Sequence, residues 1–160
     1  MNFALKPAYD HKEEVKELFT EYMDMLIKAE PRFEEYLGIQ NYDEELKHLE
    51  KKYGKPSGRL YLLYANDQLA GCVGLRKLDK EKCELKRLYV KPKFRGEGYG
   101  DLLLERIMGD ARRIGYKYMY LDTLPFLDRA LRMYKRCGFY EIERYNDSPL
   151  DTTIYMRCEL

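Results

Sequence analysis

The stretch Arg95-Gly96-Glu97-Gly98-Tyr99-Gly100 follows a strand-like run over residues 84–90 and opens an amphipathic helical pattern. A strand that ends in a glycine turn and re-enters as a helix belongs to a sheet with a crossover helix, and ligands of such sheets sit beyond the carboxyl ends of the strands. Alternating glycines leave main-chain N–H groups uncovered, and the helix start adds partial positive charge at the same place. Arg95 adds a full charge that can fork onto a pyrophosphate. Two familiar phosphate cradles do not fit. The dinucleotide fingerprint needs glycine where Asp101 stands, and no Gly-Lys-Ser/Thr follows for a P-loop. The expected ligand therefore carries a diphosphate held without a metal-binding hydroxyl.

The 160 residues suit one domain, 1–160, that buries about 70% of its unfolded surface. Lys plus Arg (29) nearly cancels Asp plus Glu (28), for a net charge of +1. That balance gives no global reason to expect nucleic acid or an anionic membrane as partner. Cys72, Cys83, Cys137 and Cys158 are isolated, with no C-x-x-C and only His11 and His48 beside them; they read as reduced core or near-core thiols, with no metal site. No apolar segment approaches the roughly eighteen residues of a spanning helix, and no secretory leader is visible. The expectation is a cytoplasmic protein.

Residues 2–8 alternate as a strand, and Asp10 is expected to cap a helix from His11 to about Ala29 with Val15, Leu18, Phe19, Tyr22, Met25 and Leu26 on one face. Residues 33–39 read as an aromatic-rich connector and residues 42–52 as a charged helix burying Leu46 and Leu49. Residues 59–65 and 68–75 form a hairpin about Asn66-Asp67. A strand over 83–90 leads through the glycine turn into a helix with Leu103, Leu104, Ile107, Met108, Ala111 and Ile114 on one side, ending at Gly115. Then come a strand (117–123), a helix (128–137) stopped by Gly138, and strands at 139–145 and 153–159. The order predicts a mixed α/β fold: a central mixed sheet of about seven strands flanked by about four helices, with a right-handed crossover from the strand over 83–90 through the long helix to the strand over 117–123.

Val90-Lys91-Pro92 ahead of the glycine turn, then Ala130-x-x-x-Tyr134-x-x-x-Gly138-Phe139 behind it, make the chain resemble the GNAT acetyltransferase superfamily over its whole length, which implies that the central sheet is mostly antiparallel and splayed near the cofactor site. The resemblance implies acetyl-CoA as cofactor, coenzyme A as product, and acetyl transfer to a primary amine of a small molecule or peptide by direct attack in a ternary complex. It implies that the main chain of Leu88, Tyr89 and Val90 pairs with the pantetheine arm, that Arg95, Gly96, Glu97, Gly98, Tyr99 and Gly100 hold the pyrophosphate, and that the Val90 N–H polarises the thioester carbonyl. Tyr134 takes the place of the acid that protonates the departing thiolate, and Glu84 that of a base for the ammonium. Asp122 is a second candidate base. Relatives often carry an asparagine where this chain has Leu127.

The acceptor side is expected from the first helices and last strands: Tyr22, Met25, Phe33, Tyr36 and Tyr42, with Tyr145-Asn146-Asp147-Ser148-Pro149. No more than two of all these residues are expected to line the pocket. Lys86 and Arg87 admit an acceptor with a carboxylate. Readings of other classes are a non-catalytic acyl-CoA-binding regulatory module and an O-acetyl or longer-acyl transferase. Edge strands at 139–145 and 153–160 leave a homodimer open.

Overall fold

The structure, a computed structural model, describes residues 2–160. Seven strands form one sheet in the order β1-β2-β3-β4-β5-β7-β6: β1 (Phe3–Pro7), β2 (Arg59–Ala65), β3 (Gln68–Lys77), β4 (Lys82–Val90), β5 (Tyr118–Thr123), β6 (Tyr140–Ile142) and β7 (Ile154–Glu159). All neighbours are antiparallel except β4 and β5, which are parallel. Asn66 and Asp67, at φ 50° and 65°, turn β2 into β3. Positive φ at both central positions matches the right-handed twist of the strands, and Asn and Asp tolerate it.

Six helices flank the sheet: α1 (Lys12–Ala29), α2 (Phe33–Ile39), α3 (Tyr42–Lys47), α4 (Leu49–Tyr53), α5 (Tyr99–Ile114) and α6 (Asp128–Arg136). The two beyond the expected four come from the front of the chain, where the aromatic connector is itself helical and the charged helix breaks at His48 (φ −134°, ψ 63°). The break has a use. Tyr53 and Lys52 both reach the Glu45 carboxylate, at 2.7 and 2.6 Å, whereas eight residues of straight helix would separate positions 45 and 53 by about 12 Å. Asp10 does not cap α1; the N-cap is His11, without a side-chain cap bond.

Alternation along β2 sends Leu60 and Leu62 into a core under α1 and α4, and Tyr61 and Leu63 into a core under α5. Burial on both faces explains the unbroken apolar run Leu60-Tyr61-Leu62-Leu63. On α5, Leu103, Leu104, Ile107 and Ala111 make the buried stripe, each large apolar side chain contributing about 1.5–3 kcal/mol. Gly115, at φ 110°, ends the helix as its sequence position suggested. A third cluster, with Leu26, Phe33, Tyr36, Leu37, Leu124 and Leu150, docks α2 beyond the end of β5. Cys72, Cys83 and Cys158 are buried and Cys137 half-buried, all as free thiols.

Two expectations at the carboxyl end are corrected. Strand β6 spans only Tyr140–Ile142, because the chain then leaves the edge so that Tyr145 and Asn146 reach inward to Glu84 and Asp122. Strand β7 lies between β5 and β6; the sheet edges are β1 and β6. No helix among the described residues is long and apolar enough to cross a membrane.

Candidate active site

The site begins where β4 bends. Between Cys72 and Gly74 of β3 the register slips, and opposite that slip Arg87 takes φ 58°, a bulge at a residue type that rarely accepts positive φ. Long-range partners hold it there. The Arg87 guanidinium donates to both oxygens of Glu45 at 2.8 and 2.9 Å and to Gln40 at 3.0 Å, while the Cys72 thiol donates to the Arg87 carbonyl at 3.2 Å. Pairing between β4 and β5 stops at Glu84 with Tyr120. From there to Val90 the β5-facing side of β4 is open.

Lys91 N–H donates to the Ala70 carbonyl at 2.8 Å, so by the alternation of an antiparallel ladder the N–H of Val90, opposite Gly71, points away from β3 into that opening. Beyond Val90 the chain passes through a 3₁₀ turn, Pro92–Phe94, to Gly96 and Gly98, at φ 85° and 84°. A Cβ built on either glycine meets nothing within 4 Å: the backbone conformation calls for glycine, and the space above it is free for a ligand. Gly98 is the N-cap of α5. The result is a cleft of about 780 Å³ that runs along β4 to the helix start.

Of the nine residues expected to bind a cofactor, Leu88, Tyr89, Val90, Arg95, Gly96, Gly98, Tyr99 and Gly100 line this cleft, and Glu97 does not. Glu97 is exposed on the outside of the turn. Arg95 lies folded back, its Nε donating to the Val90 carbonyl at 2.9 Å and its guanidinium 5.6 Å from the Tyr89 ring centroid. Tyr134, 6% exposed, lines the opposite wall and packs its ring on Phe139 at 5.6 Å. Burial, reinforced by Tyr22 and the charge of Asp122, raises its pKa far above the ordinary value, so the phenol keeps its proton at neutral pH. Sequence reasoning missed Arg129, Arg132 and Arg136, also on this wall. Their i, i+3, i+7 spacing puts them on one helix face, a signal that was there to be read.

Tyr22 and Leu127 also line a second, inner cavity of about 40 Å³ bounded by Phe33, Tyr36, Lys86, Arg87, Asp122 and Leu124 among others. Leu127, at the position where the family resemblance leads one to expect asparagine, thus borders both spaces. Three of the five front residues, Tyr22, Phe33 and Tyr36, line the inner cavity, one more than expected; Met25 lines the outer cleft, and Tyr42 lies under Arg87, 5.4 Å from its guanidinium. Asp122 opens onto the cavity, its Oδ2 accepting from Tyr36 Oη and, at 2.6 Å, from Asn146 Nδ2. Tyr155 in turn donates to Asn146 Oδ1 at 3.0 Å. This network ties α2 and the segment after β6 to the end of β5.

Glu84 is placed differently from its expected role. It is 2% exposed and lines neither space; Oε1 accepts from Arg76 Nε at 2.6 Å and Oε2 from Tyr145 Oη. Burial alone would raise its pKa, but Lys86 and Arg76 outweigh it and hold the carboxyl below its ordinary value. Both oxygens are engaged and the proton affinity is low, the properties of a structural anion more than of a base. Lys86 lines the inner cavity with its Nζ 4.0 Å from Glu84 Oε1.

Comparison with known proteins bears on this geometry. A family model described as the acetyltransferase (GNAT) family matches residues 14–139. An uncharacterized N-acetyltransferase of Schizosaccharomyces pombe is 41% identical over 128 residues, covering 78% of this chain and 77% of its own. Among solved structures, an acetyltransferase from Streptococcus agalactiae superposes with a TM-score of 0.77 at 22% identity, over 99% of this chain and 98% of that one. A GNAT family acetyltransferase from Elizabethkingia anophelis with acetyl-CoA bound superposes with a TM-score of 0.57 at 27% identity, over 65% and 77%. With its split sheet, its glycine turn and a family match over most of its length, the chain belongs to the GNAT acetyltransferase family.

Proposed function

We propose that this protein transfers the acetyl group of acetyl-CoA to a primary amine. The observation that carries the reading is one cleft holding an open main-chain edge at Val90, a glycine turn at a helix start and a protonated, buried phenol. A relative that holds acetyl-CoA supports the same donor. The N–H groups from Gly96 to Gly100 and the start of α5 bind the pyrophosphate. Arg95 swings from the Val90 carbonyl to add its charge. The main chain of Leu88–Val90 pairs with the amides of the pantetheine arm as a strand would.

Acetyl-CoA supplies an activated acyl carbon; the chain supplies orientation, charge and protons. The Val90 N–H donates to the thioester carbonyl oxygen as negative charge builds on it. Asp122, open to the inner cavity with only Oδ2 engaged, takes the proton of the acceptor ammonium directly or through a water. Nitrogen then bonds to the carbonyl carbon and gives its second proton to water, the C–S bond breaks with its electron pair on sulfur, and Tyr134 gives its proton to that sulfur. Solvent reprotonates Tyr134. An ammonium and a thioester become an amide and a thiol, with one proton released.

Calorimetric titration with coenzyme A tests the donor site. The wild-type chain is expected to bind saturably, and Arg95→Ala to bind about 1.5–3 kcal/mol more weakly, the worth of a charge-assisted contact. Equal affinity in the two would remove the glycine turn from the donor site.

A further inference from the structure

The inner cavity carries a charge that its own walls do not cancel. Of the charged groups, Lys86, Arg87 and Asp122 line the cavity, and Glu45, Glu84, Lys52 and Arg76 stand behind them; with all of them ionised, three negative charges meet four positive ones. Arg87 is spent on Glu45 and Gln40, Lys52 on Glu45 at 2.6 Å, and Arg76 on Glu84 at 2.6 Å. Lys86 is different. It is 7% exposed and lines the cavity, yet its nearest carboxylate oxygen is 4.0 Å away, and among the described residues its ammonium has no hydrogen-bond acceptor.

An ammonium has three donors, and with no protein acceptor in reach those of Lys86 turn to the cavity. Burial lowers the proton affinity of Lys86, and burial together with Lys86 brings Lys52 down to about 8. A bound anion would relieve both. At about 10–15 Å³ for a water on this measure, the 40 Å³ of the cavity holds about three waters, the size of a carboxylate with its adjoining carbon. Tyr22, Leu26, Phe33 and Leu124 give the remaining walls an apolar cast. The cavity meets the outer cleft at Tyr22 and Leu127.

From this geometry, and resting on the acetyl-transfer reading, we infer that the acceptor is a small amine bearing a carboxylate, and that Lys86 Nζ receives that carboxylate in the inner cavity. The amine then lies at the seam between cavity and cleft, between Asp122 and the thioester. Arg87, the more obvious fork for a carboxylate, is already filled by Glu45.

The test uses matched acceptors that differ only in that group: alanine with alaninamide, β-alanine with β-alaninamide, 4-aminobutyrate with 4-aminobutanamide. Acetylated product is measured by mass spectrometry, and acetyl-CoA affinity by calorimetry on the same preparations. For at least one pair the wild-type chain is expected to favour the acid by roughly 10- to 100-fold in kcat/KM, the range of a charge-assisted hydrogen bond. Lys86→Met should bring that ratio to within about twofold through KM and leave acetyl-CoA affinity unchanged, while Lys86→Arg keeps part of the preference. Equal rates for acid and amide in the wild-type chain would overturn the inference whether or not the variants fold, as would a preference that survives Lys86→Met. So would bound acetyl-CoA with neither series acetylated. Failure to bind acetyl-CoA at all would be a different result, contradicting the acetyl-transfer reading and taking this one with it.

Discussion

At the scale of single residues, Tyr134 is the side chain on which the proposed reaction turns. Its ring packs on Phe139 in the main core cluster, and burial holds the phenol protonated. Tyr134→Phe removes the donor and keeps the ring. The expected result is a kcat lower by roughly 10- to 1,000-fold with acetyl-CoA affinity unchanged, the range of general-acid catalysis with a water as substitute; a variant at full rate would take Tyr134 out of the mechanism. The residues most legible in the sequence were those whose role is a backbone conformation. Gly96 and Gly98 stand out because positive φ selects glycine, whatever lies around them. Glu84 was less legible: a carboxylate at the right offset looks the same whether it faces a substrate or two cations, and its captors Arg76 and Tyr145 lie 8 and 61 residues away.

Among the elements, β4 decides the architecture of the site, because its bulge at Arg87 turns it away from β5. The bulge depends on Glu45 of α3, which stands 42 residues earlier and in the sequence is one carboxylate among several in a charged helix. Breaking this buried pair leaves the Arg87 charge uncompensated, so Glu45→Gln is expected to destabilise the fold by about 3–5 kcal/mol. Acid should act on the same contact. Burial raises the Glu45 pKa, but Arg87 and Lys52 more than reverse it, from 4.5 to about 2. Between those values the unfolded chain binds the proton and the folded chain does not, so this contribution to stability falls as pH drops from 4.5 toward 2. Urea midpoints measured across that window should decline less in Glu45→Gln than in wild type; parallel declines would contradict the role given to the pair. Strand and helix order was readable from periodicity. The break at His48 and the short β6 were not, because each follows from side chains drawn toward distant partners.

The whole molecule is a sheet covered on both faces, with the outer cleft on the open side of β4 and the inner cavity under α1 and α2. Tyr22 and Leu127 border both spaces, and in the proposed reaction donor and acceptor meet beside them. One side of the outer cleft was legible because a single run of sequence, residues 88–100, supplies it. The inner cavity is assembled from α1, α2, β4, β5 and the chain after α6, and no single run of sequence shows such a surface. The most direct test of the account is a mass-balanced transfer assay, in which coenzyme A thiol and N-acetylated amine are measured in the same reaction with acetyl-CoA and a panel of small amines. The account predicts equal amounts of thiol and acetylated amine, with both falling together in Tyr134→Phe. Thiol released without any acetylated amine across the panel would contradict it.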